Sequence, residues 1–299
     1  MRAALLRETG GPEMLRVEDV AEPEPGEGEL LIRVRAASIN PIDWKQRRGL
    51  ASKNLPAVLG NDISGTVERS RADGFAPGDD VFGFAPRGGY AERAVSPAGS
   101  VVEKPAGLSH EQAAALPVSG LTAWQALFDR GDLRSGQSLL VAGAAGGVGH
   151  LAVQFAKHAG ARVTGTGSAR NRDFVLALGA DEYVDYASQE VGEVVSGVDV
   201  AFDTVGGATT QTLLPTVREG GVLVVIAAAP PEAEAAERGF RVDLLGMSVN
   251  PPQLAQIGEL VASGEVRVEI ARTFALEDVA EAHELSEAGH TRGKLILTM

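Results

Sequence analysis

Short runs of apolar or alternating residues mark the first third of the chain. Four of them, at residues 3–7, 30–37, 65–68 and 80–84, are separated by segments rich in glycine and proline. Runs of this length with turn residues between them predict β-strands rather than helices. Many short strands without intervening helices favour a small barrel or a sandwich.

The pattern changes near Ser109, which forms a capping box with Gln112 at the start of a predicted helix. Beyond it, apolar runs of strand length alternate with helical periodicity. The predicted strands are residues 138–142, 162–166, 182–184, 198–202 and 221–226, and the predicted helices are residues 124–130, 147–159, 171–178 and 208–217. This alternation predicts a parallel sheet with helical crossovers, and therefore an α/β protein. After it come a predicted strand at 241–250, helices at 253–263 and 276–288, and a terminal strand at 294–298.

Length and composition restrict the class of protein and its partners. The 299 residues suffice for two domains, and 27 Lys and Arg against 40 Asp and Glu give a formal net charge of −13. Such a surface repels phosphate backbones and anionic lipid, so we expect neither a nucleic acid nor a membrane as partner. The chain has no cysteine, which excludes disulfides, a thiol nucleophile and Cys-ligated zinc. It shows no signal-peptide pattern and no apolar run of roughly 20 residues, so we expect a cytoplasmic protein.

A glycine-rich turn follows the first strand of the predicted parallel sheet. Residues 138–152 read Ser-Leu-Leu-Val-Ala-Gly-Ala-Ala-Gly-Gly-Val-Gly-His-Leu-Ala, a buried strand, a turn and a helix start. Glycines let the backbone approach a pyrophosphate, and the helix N-terminus offers N–H groups to it. We expect Ala145, Gly146, Gly147 and Val148 to bind a dinucleotide, and the alternative is a tight turn without a ligand.

The end of the second strand of this sheet indicates which dinucleotide binds. NAD-binding folds place a carboxylate there to bond the ribose 2′-hydroxyl, but no carboxylate occurs before Asp173. Gly167 leaves room, Ser168 offers a hydroxyl, and Arg170 offers a guanidinium suited to a phosphate. The sequence therefore favours NADPH, and the alternative is that Arg170 is a solvated residue at a helix start.

Ligands of open α/β sheets lie beyond the carboxyl ends of the strands. Thr204 and Val205 follow the fourth predicted strand, and Ala227 and Ala228 follow the fifth. We therefore expect these residues to line the cofactor. We expect Met247, Ser248 and Val249 to complete the nicotinamide pocket.

Several motifs in order resemble one family over nearly the whole chain. They are Asn-Pro-Ile-Asp at 40–43, Gly-Asn-Asp-Ile-Ser-Gly at 60–65, Gly-Asp-Asp-Val at 78–81, Gly-Tyr-Ala-Glu at 89–92, Leu-Pro-Val-Ser-Gly-Leu-Thr-Ala-Trp at 116–124, the glycine-rich turn, Asp-Thr-Val-Gly-Gly at 203–207 and Gly-Lys-Leu-Ile-Leu at 293–297. The sequence resembles the medium-chain dehydrogenase/reductase superfamily, in its zinc-free quinone oxidoreductase branch.

The resemblance implies the domain organisation. It implies a GroES-like β-barrel catalytic domain at residues 1–112, completed by 252–299, and a Rossmann doubly wound parallel sheet at residues 113–251. It also implies a homodimer formed through the edge strand of the Rossmann sheet, near residues 244–250.

Zinc-dependent relatives carry metal ligands at positions that this chain fills differently. Asn40 stands in place of a cysteine, and Asn61 and Asp62 stand in place of a His-Glu pair. The five histidines, at positions 110, 150, 158, 283 and 290, show no ligand spacing, and we expect them at the surface or in caps. The sequence therefore predicts no metal site.

The resemblance implies hydride transfer from NADPH to a quinone or an activated C=C bond (an enone, alkenal or enoyl thioester). It places Asn40 and Thr122 beside the nicotinamide and the substrate, where Asn40 can donate an N–H to a substrate oxygen. Asp43 either orients this site or is a structural carboxylate of the turn. Lys45 stands where relatives often have tyrosine, and it can donate a proton or bind an anionic group, with solvent as the alternative donor. Tyr186 is implied near the 2′-phosphate, or is a half-buried loop residue.

Two other classes of function remain open from the sequence. Rossmann proteins also serve as NADPH-binding sensors or structural proteins without catalysis. A zinc alcohol dehydrogenase is the third interpretation, and it predicts one bound metal per active site.

Overall fold

The structure is a computed structural model that describes residues 1–227 and 231–299. The chain forms two compact units. One consists of residues 1–118 together with 249–299, and the other of residues 119–248. The boundaries predicted from the sequence lie at 112/113 and 251/252.

The strands and helices of the described residues are as follows. The strands are β1 (Arg2–Leu6), β2 (Leu15–Asp19), β3 (Glu29–Ile39), β4 (Ala57–Val58), β5 (Asp62–Ser70), β6 (Asp80–Phe84), β7 (Arg93–Pro97), β8 (Val101–Glu103), β9 (Ser138–Ala142), β10 (Arg162–Gly167), β11 (Glu182–Asp185), β12 (Val198–Asp203), β13 (Val217–Val225), β14 (Arg241–Leu244), β15 (Ile270–Ala275) and β16 (Lys294–Thr298). The helices are α1 (Pro41–Arg47), α2 (His110–Ala114), α3 (Pro117–Trp124), α4 (Gly149–His158), α5 (Arg172–Ala177), α6 (Val191–Val194), α7 (Ala208–Leu213), α8 (Glu232–Glu237), α9 (Pro251–Ala262) and α10 (Val279–Glu287).

The first unit is built from antiparallel pairs with one parallel pair at its end. One sheet has the order β2-β1-β4, and the larger one has the order β15-β16-β3-β5-β6-β8, with β7 also paired to β3. Only β15 and β16 run parallel among the pairs described in this unit. Long apolar side chains of β3, β5 and β16 fill its core, and they include Leu30, Ile32, Ile63 and Leu295. The predicted small β-domain is confirmed.

The second unit is a parallel sheet with the strand order β11-β10-β9-β12-β13-β14. Every strand pair described in it is parallel. Strand β9 lies in the middle, and its residues Leu139–Ala142 are almost fully buried, as expected for a strand covered on both faces. The predicted Rossmann-type α/β fold is confirmed.

Several elements differ from the prediction. The predicted helix at 208–217 ends at Leu213 and continues as a 3₁₀ turn at Leu214–Thr216, because Pro215 has no N–H for a helical bond. Residues Gln125–Arg130 form a π-helical turn. The sequence pattern missed several short elements that lack a clear period, which are α1, α3, α6, β2, β4, β7, β8 and β15.

The capping box at Ser109 forms as predicted, with Gln112 N–H donating to the serine hydroxyl at 3.2 Å. Within the described residues, no helix has both the length and the apolar character needed to cross a membrane.

Candidate functional site

Three strand ends meet in the first unit. Ser38, near the end of β3, lies opposite both Asp62 of β5 and Ile296 of β16 in the pairing registers. Lys294 begins β16. The topology therefore brings side chains that are more than 200 residues apart in the sequence to one end of the sheet.

A buried polar group fills this end of the sheet, and we name it the Asn40 cluster. Its members have little or no exposed surface, and they are Ser38, Asn40, Asp43, Asp62, Tyr90 and Lys294. Buried polar groups are costly unless they are hydrogen-bonded, so their partners are informative.

Asn40 is the residue that joins strand β3 to helix α1. It caps the helix, and Pro41 occupies the first helical position, where its missing N–H costs nothing. Its backbone N–H donates to Asp43 Oδ2 at 2.8 Å. Its side-chain Nδ2 donates to Asp62 Oδ2 at 2.9 Å, and its Oδ1 accepts from Lys294 Nζ at 2.6 Å. The Asn40 amide thus bridges a carboxylate and an ammonium.

Asp62 gathers several donors on one oxygen. Its Oδ2 accepts from Ser38 Oγ at 2.9 Å and from the Val118 N–H at 3.3 Å, in addition to Asn40. Its Oδ1 is buried and has no hydrogen-bond partner within the described residues. Burial raises the pKa of Asp62, while Lys294 and the hydrogen bonds from Asn40 and Ser38 oppose the rise.

Asp43 is the second buried carboxylate of the cluster. Its Oδ2 accepts from Tyr90 Oη at 2.8 Å as well as from the Asn40 backbone, and its Oδ1 has no partner within the described residues. Burial raises the pKa of Asp43 to about 6, with a smaller contribution from nearby Asp62. The carboxylate holds the backbone of Asn40 in place.

The structure corrects the expectation that every histidine lies at the surface or in a cap. His283 of helix α10 is fully buried, and its ring packs edge-on against Tyr90 with centroids 5.8 Å apart. Neither ring nitrogen has a hydrogen-bond partner within the described residues, and burial lowers the pKa of His283 to about 3. His150 is also buried, with its Nδ1 at 2.9 Å from the Gly146 carbonyl oxygen.

The remaining predicted catalytic residues lie outside the Asn40 cluster. Lys45 of helix α1 is half-buried, and its Nζ lies 5.7 Å from the centroid of the Trp44 ring. Thr122 is buried in helix α3 and belongs to the second unit. The structure therefore brings Asn40 and Asp43 together, while Lys45 has no hydrogen bond to either of them.

Sequence reasoning did not select Lys294, Tyr90 or Ser38 as site residues, although the first two lie within motifs that it noted. A lysine and a tyrosine beside apolar neighbours in short strands are ordinary features. Their charge and hydroxyl become informative only when strand pairing shows that they are buried. A lysine at the start of an otherwise apolar terminal strand was the one available signal.

The glycine-rich turn of the second unit folds tightly upon itself. Gly143 has a φ of +71°, and a Cβ there would lie 2.5 Å from Thr204 Oγ1. A Cβ on Gly149 would lie 2.2 Å from the carbonyl oxygen of Gly143. At Gly146, by contrast, a Cβ would meet one atom, at 3.3 Å. Gly146, Gly147 and Val148 are partly exposed, whereas Ala145 is buried.

The three residues that the sequence assigned to the phosphate lie at the end of strand β10 and in the turn that follows it. Gly167 is buried against the Tyr183 hydroxyl, which donates to the Ser168 carbonyl oxygen at 2.7 Å. Ser168 is partly exposed, and Arg170 follows on a 3₁₀ turn with an exposed side chain. Tyr183 was not predicted as a site residue, but it fixes the backbone that carries them.

The ends of β11, β12 and β13 expose apolar side chains at the same edge of the sheet. Tyr186 is 57% exposed and Val205 is 53% exposed, although both follow buried strands. Asp203 holds the loop after β12, since it accepts from the N–H groups of Val205 and Gly206 and from Thr210 Oγ1. The predicted ligand residue Ala227 is exposed, and Ala228 lies outside the described residues.

Thr204 and Ser248 are each held by hydrogen bonds to a neighbouring segment of the second unit. The Thr204 hydroxyl donates to the Ala142 carbonyl oxygen at 2.7 Å and so ties β12 to β9. Met247 is partly buried, whereas Ser248 and Val249 are exposed. Gln125, on the π-helical turn, donates to the Ser248 carbonyl at 2.8 Å and accepts from the Ser248 N–H at 3.0 Å. No pattern in the sequence pointed to a role for this amide.

These residues fit a dinucleotide. Helix α4 follows the glycine-rich turn, so its positive end is available to a pyrophosphate, while the His150 N–H already donates to the Gly146 carbonyl oxygen at 3.0 Å. Gly207 faces open space, since a Cβ there would meet nothing within 4 Å, and a Cβ on Gly146 would meet only the Gly143 carbonyl oxygen. The exposed Tyr186 and Val205 are apolar surfaces of the kind that a bound ring system covers. Within residues 1–227 and 231–299, no group of three or more His, Asp or Glu side chains lies close enough to hold a metal ion.

The fold and this edge define a dinucleotide-binding protein, and comparisons with known proteins identify it as an oxidoreductase. Residues 26–106 match the alcohol dehydrogenase GroES-like domain, and residues 178–297 match the zinc-binding dehydrogenase family model. The chain is 33% identical to the quinone oxidoreductase of Mus musculus, covering 100% of this chain and 98% of that protein. It is 32% identical to the 2-methylene-furan-3-one reductase of Solanum lycopersicum, covering 99% and 79%.

The structures agree as well. The Escherichia coli quinone oxidoreductase complexed with NADPH matches with a TM-score of 0.93 and 28% identity, over 100% of both chains. The protein therefore belongs to the medium-chain dehydrogenase/reductase superfamily, in its zinc-free quinone oxidoreductase-like branch, and it is an oxidoreductase.

Proposed function

We propose that this protein reduces a quinone or an activated C=C bond (an enone, alkenal or enoyl thioester) with NADPH and without a metal. The named activities of the mouse and tomato relatives, and the NADPH complex of the Escherichia coli relative, support this assignment. The observation that carries it is the Asn40 amide, held between Asp62 and Lys294 at the position where zinc relatives carry a ligand.

The carboxyl edge of the parallel sheet would hold NADPH. The residues that we assign to it are Ala145, Gly146, Gly147, Val148, Gly167, Ser168, Arg170, Tyr186, Thr204, Val205, Ala227, Ala228, Met247, Ser248 and Val249. Arg170 offers its guanidinium to the 2′-phosphate, and the start of α4 offers backbone N–H groups to the pyrophosphate. When bound, NADPH supplies a hydride, which is two electrons and one proton, and leaves as NADP⁺.

Asn40 would act on the acceptor. As the acceptor gains a hydride at carbon, negative charge develops on its conjugated oxygen, and a fixed N–H donor stabilises that charge. The Asn40 amide nitrogen uses one hydrogen for Asp62, and no acceptor within the described residues takes the other. Asp43 acts as a positioning residue because it binds the Asn40 backbone. Thr122 remains a proposed neighbour of the nicotinamide. Besides the hydride, the reduced acceptor takes up one proton, which comes from Lys45 or from solvent.

The chemistry of the Asn40 cluster disfavours a metal at this position. Asn40 Oδ1, the atom that would coordinate a cation, already accepts from the Lys294 ammonium at 2.6 Å. A divalent ion there would be repelled by that ammonium at short range. We therefore expect elemental analysis to find no stoichiometric zinc in the active protein, and stoichiometric zinc that is required for turnover would contradict the proposal.

The test is NADPH oxidation, followed at its absorbance band with a panel of quinones and enones. We expect turnover with at least one acceptor, and tight NADPH binding without turnover on any of them would overturn the enzymatic assignment. Asn40→Ala should lower kcat by about 10²-fold, the cost of losing one such donor, with NADPH affinity unchanged. Asn54→Ala, which removes an exposed amide from the same unit, is the control and should keep wild-type kcat.

We propose the cytoplasm as the location of this protein. We also propose that it forms a homodimer, in which strand β14 of one subunit pairs with strand β14 of the other. Strand β14 pairs with β13 on one side, and within the described residues no strand covers its other side. Leu244 at its end is 51% exposed. Light scattering should give twice the chain mass for the wild type and the monomer mass for Leu244→Lys. A dimer that is unchanged by this substitution would contradict the proposed interface.

A further inference from the structure

The side-chain amide of Asn40 is fixed at both ends. Its Oδ1 faces Lys294 Nζ at 2.6 Å, and its Nδ2 faces Asp62 Oδ2 at 2.9 Å. An ammonium has only donors and a carboxylate has only acceptors, so the two partners determine which end of the amide is oxygen and which is nitrogen.

Lys294 is the unexpected member of this arrangement. Its side chain is buried, and its hydrogen-bond partners within the described residues are Asn40 Oδ1 and the Ile39 carbonyl oxygen at 3.3 Å. Burial lowers the pKa of Lys294, whereas Asp62 and Asp43 oppose that shift. An apolar side chain of similar length would fill the same space without the cost of burying a charge. The ammonium therefore contributes something that packing alone does not supply.

We propose that Lys294 is a positioning residue for the reduction, acting through the amide of Asn40. This inference rests on the proposed function, because it assumes that Asn40 donates a hydrogen bond to the acceptor oxygen. Lys294 holds Oδ1 and Asp62 holds one hydrogen of Nδ2, so the second hydrogen of Nδ2 has a single direction. Pre-orientation of a donor lowers the cost of stabilising charge in the transition state.

The ammonium also strengthens the donor that it positions. A cation at the amide oxygen withdraws electron density from the nitrogen, and hydrogen bonds in a chain polarise one another. Both effects act on the transition state, where the oxygen of the acceptor carries charge. The residues that we assign to the phosphates of NADPH belong to the second unit, and Lys294 is hydrogen-bonded only to Asn40 and Ile39 within the described residues. Removal of the ammonium should therefore lower kcat and leave NADPH binding as it is.

The experiment compares Lys294→Met, which keeps the length and removes the donors, with Lys294→Gln, which restores neutral N–H donors. We expect kcat to fall by about tenfold or more in Lys294→Met, less than for loss of the donor itself, and to recover partly in Lys294→Gln. The dissociation constant for NADPH, measured by fluorescence titration, should change by less than about twofold. Equal kcat in Lys294→Met and wild type would overturn the inference.

Lys104→Met is the matched control. Lys104 is a second lysine of the same unit whose side chain is largely buried, and its Nζ donates to the Leu108 carbonyl oxygen at 2.8 Å. It has no contact with Asn40, so its loss should leave kcat at the wild-type value. A similar loss of kcat in Lys104→Met and Lys294→Met would mean that removing any buried lysine impairs the fold, and would overturn the inference.

A double-mutant cycle separates this inference from the proposed function. If Lys294 acts through Asn40, then Asn40→Ala with Lys294→Met should have the same kcat as Asn40→Ala alone, within about twofold. Multiplied losses in the double variant would contradict action through Asn40. Wild-type kcat in Asn40→Ala would instead refute the proposed role of Asn40. If Lys294→Met fails to fold, as judged by circular dichroism, the same cycle is carried out with Lys294→Gln.

Discussion

The two candidate regions of this protein are built in opposite ways. In the first unit, the Asn40 cluster joins side chains from residues 38–43, 62, 90 and 294, and almost every polar atom in it is buried. In the second unit, the carboxyl edge of the parallel sheet is formed by glycines and short loops, and several of its residues are exposed. The Asn40 cluster is held together by buried charged and polar side chains. The carboxyl edge is shaped by tight backbone turns that leave room for a ligand.

The difference teaches which physical term governs each region. In the Asn40 cluster, a substitution changes the balance between buried charges, so its cost is electrostatic. At the carboxyl edge, a substitution adds atoms where backbone segments are in contact, so its cost is steric. The electrostatic cost depends on pH and can be offset by removing the opposite charge, whereas the steric cost depends on neither.

The largest expected effect is an acid sensitivity that belongs to the first unit. His283 is neutral in the folded protein, with a pKa of about 3 against 6.5 for the free side chain. Because the unfolded chain binds this proton first, stability is lost as pH falls from about 6.5 towards 3, by up to roughly 5 kcal/mol. Asp43 acts in the opposite direction, because its raised pKa of about 6 costs stability as pH rises from about 4 to 6.

The measurement is the free energy of urea unfolding between pH 4 and pH 8. Because Asp43 offsets the histidine between pH 4 and 6, the comparison with wild type is what isolates His283. His283→Gln should gain stability relative to wild type as pH falls below about 6.5, whereas His158→Gln, at an exposed position of the second unit, should run parallel to wild type. If wild type and His283→Gln lose stability in parallel below pH 6.5, His283 is not the group responsible.

The next effect tests whether charge balance governs the Asn40 cluster. Asp62→Leu removes the carboxylate and leaves the Lys294 ammonium buried with Asp43 as its nearest compensation, so we expect a loss of about 3–5 kcal/mol. Adding Lys294→Met to the same protein removes the unpaired charge and should recover much of that loss. Urea unfolding at pH 7 measures both, and Asp73→Ala, which removes an exposed carboxylate from the same unit, is the control.

A double variant that is less stable than Asp62→Leu would contradict this view. It would mean that Lys294 stabilises the fold by its packing and by its bond to the Ile39 carbonyl oxygen rather than by its charge.

The same contrast explains how much of the molecule could be predicted from its sequence. The glycine-rich turn is local: strand β9, the turn and helix α4 are consecutive, so one stretch of residues 138–158 specifies the motif. The Asn40 cluster is non-local, because Asp62 and Lys294 approach Asn40 only through the pairing of β3 with β5 and β16. Motif order identified the family, but a lysine in a terminal strand carries no mark of its burial.

Other failures have the same origin. His283 lies on an amphipathic helix, where the pattern of residues does not distinguish a buried histidine from an exposed one. Gln125 was missed because its partner, the backbone of Ser248, lies 123 residues further along the chain. The local sequence pattern predicted most strands and helices of the second unit. It could not predict which side chains would meet across a sheet, because that depends on the pairing register of the strands.

Substitutions in the glycine-rich turn should change stability and NADPH binding through the size of the new side chain rather than through its charge. Gly149→Ala places a Cβ 2.2 Å from the Gly143 carbonyl oxygen, a backbone atom that cannot move easily, so we expect a loss of about 1–3 kcal/mol. Gly146→Ala places its Cβ at 3.3 Å from the same oxygen and points into space that we assign to NADPH. It should therefore weaken NADPH binding with little loss of stability.

Thermal unfolding and NADPH titration of the two variants test this distinction. Equal destabilisation by both substitutions would contradict the difference that we expect between the crowded Gly149 and the less crowded Gly146. Unchanged NADPH affinity in Gly146→Ala would contradict the assignment of this residue to the cofactor.

The smallest effect concerns selectivity between the two cofactors. Arg170→Ala removes the guanidinium that we assign to the 2′-phosphate, so NADPH affinity should fall by about tenfold while NADH affinity stays nearly constant. Arg162→Ala is the matched control, because Arg162 is an exposed arginine at the opposite end of the same strand β10. An equal loss for NADPH and NADH in Arg170→Ala would assign Arg170 to the general positive potential of this edge. The preference for NADPH would then have to rest on hydrogen bonds from the Ser168 hydroxyl and from backbone N–H groups.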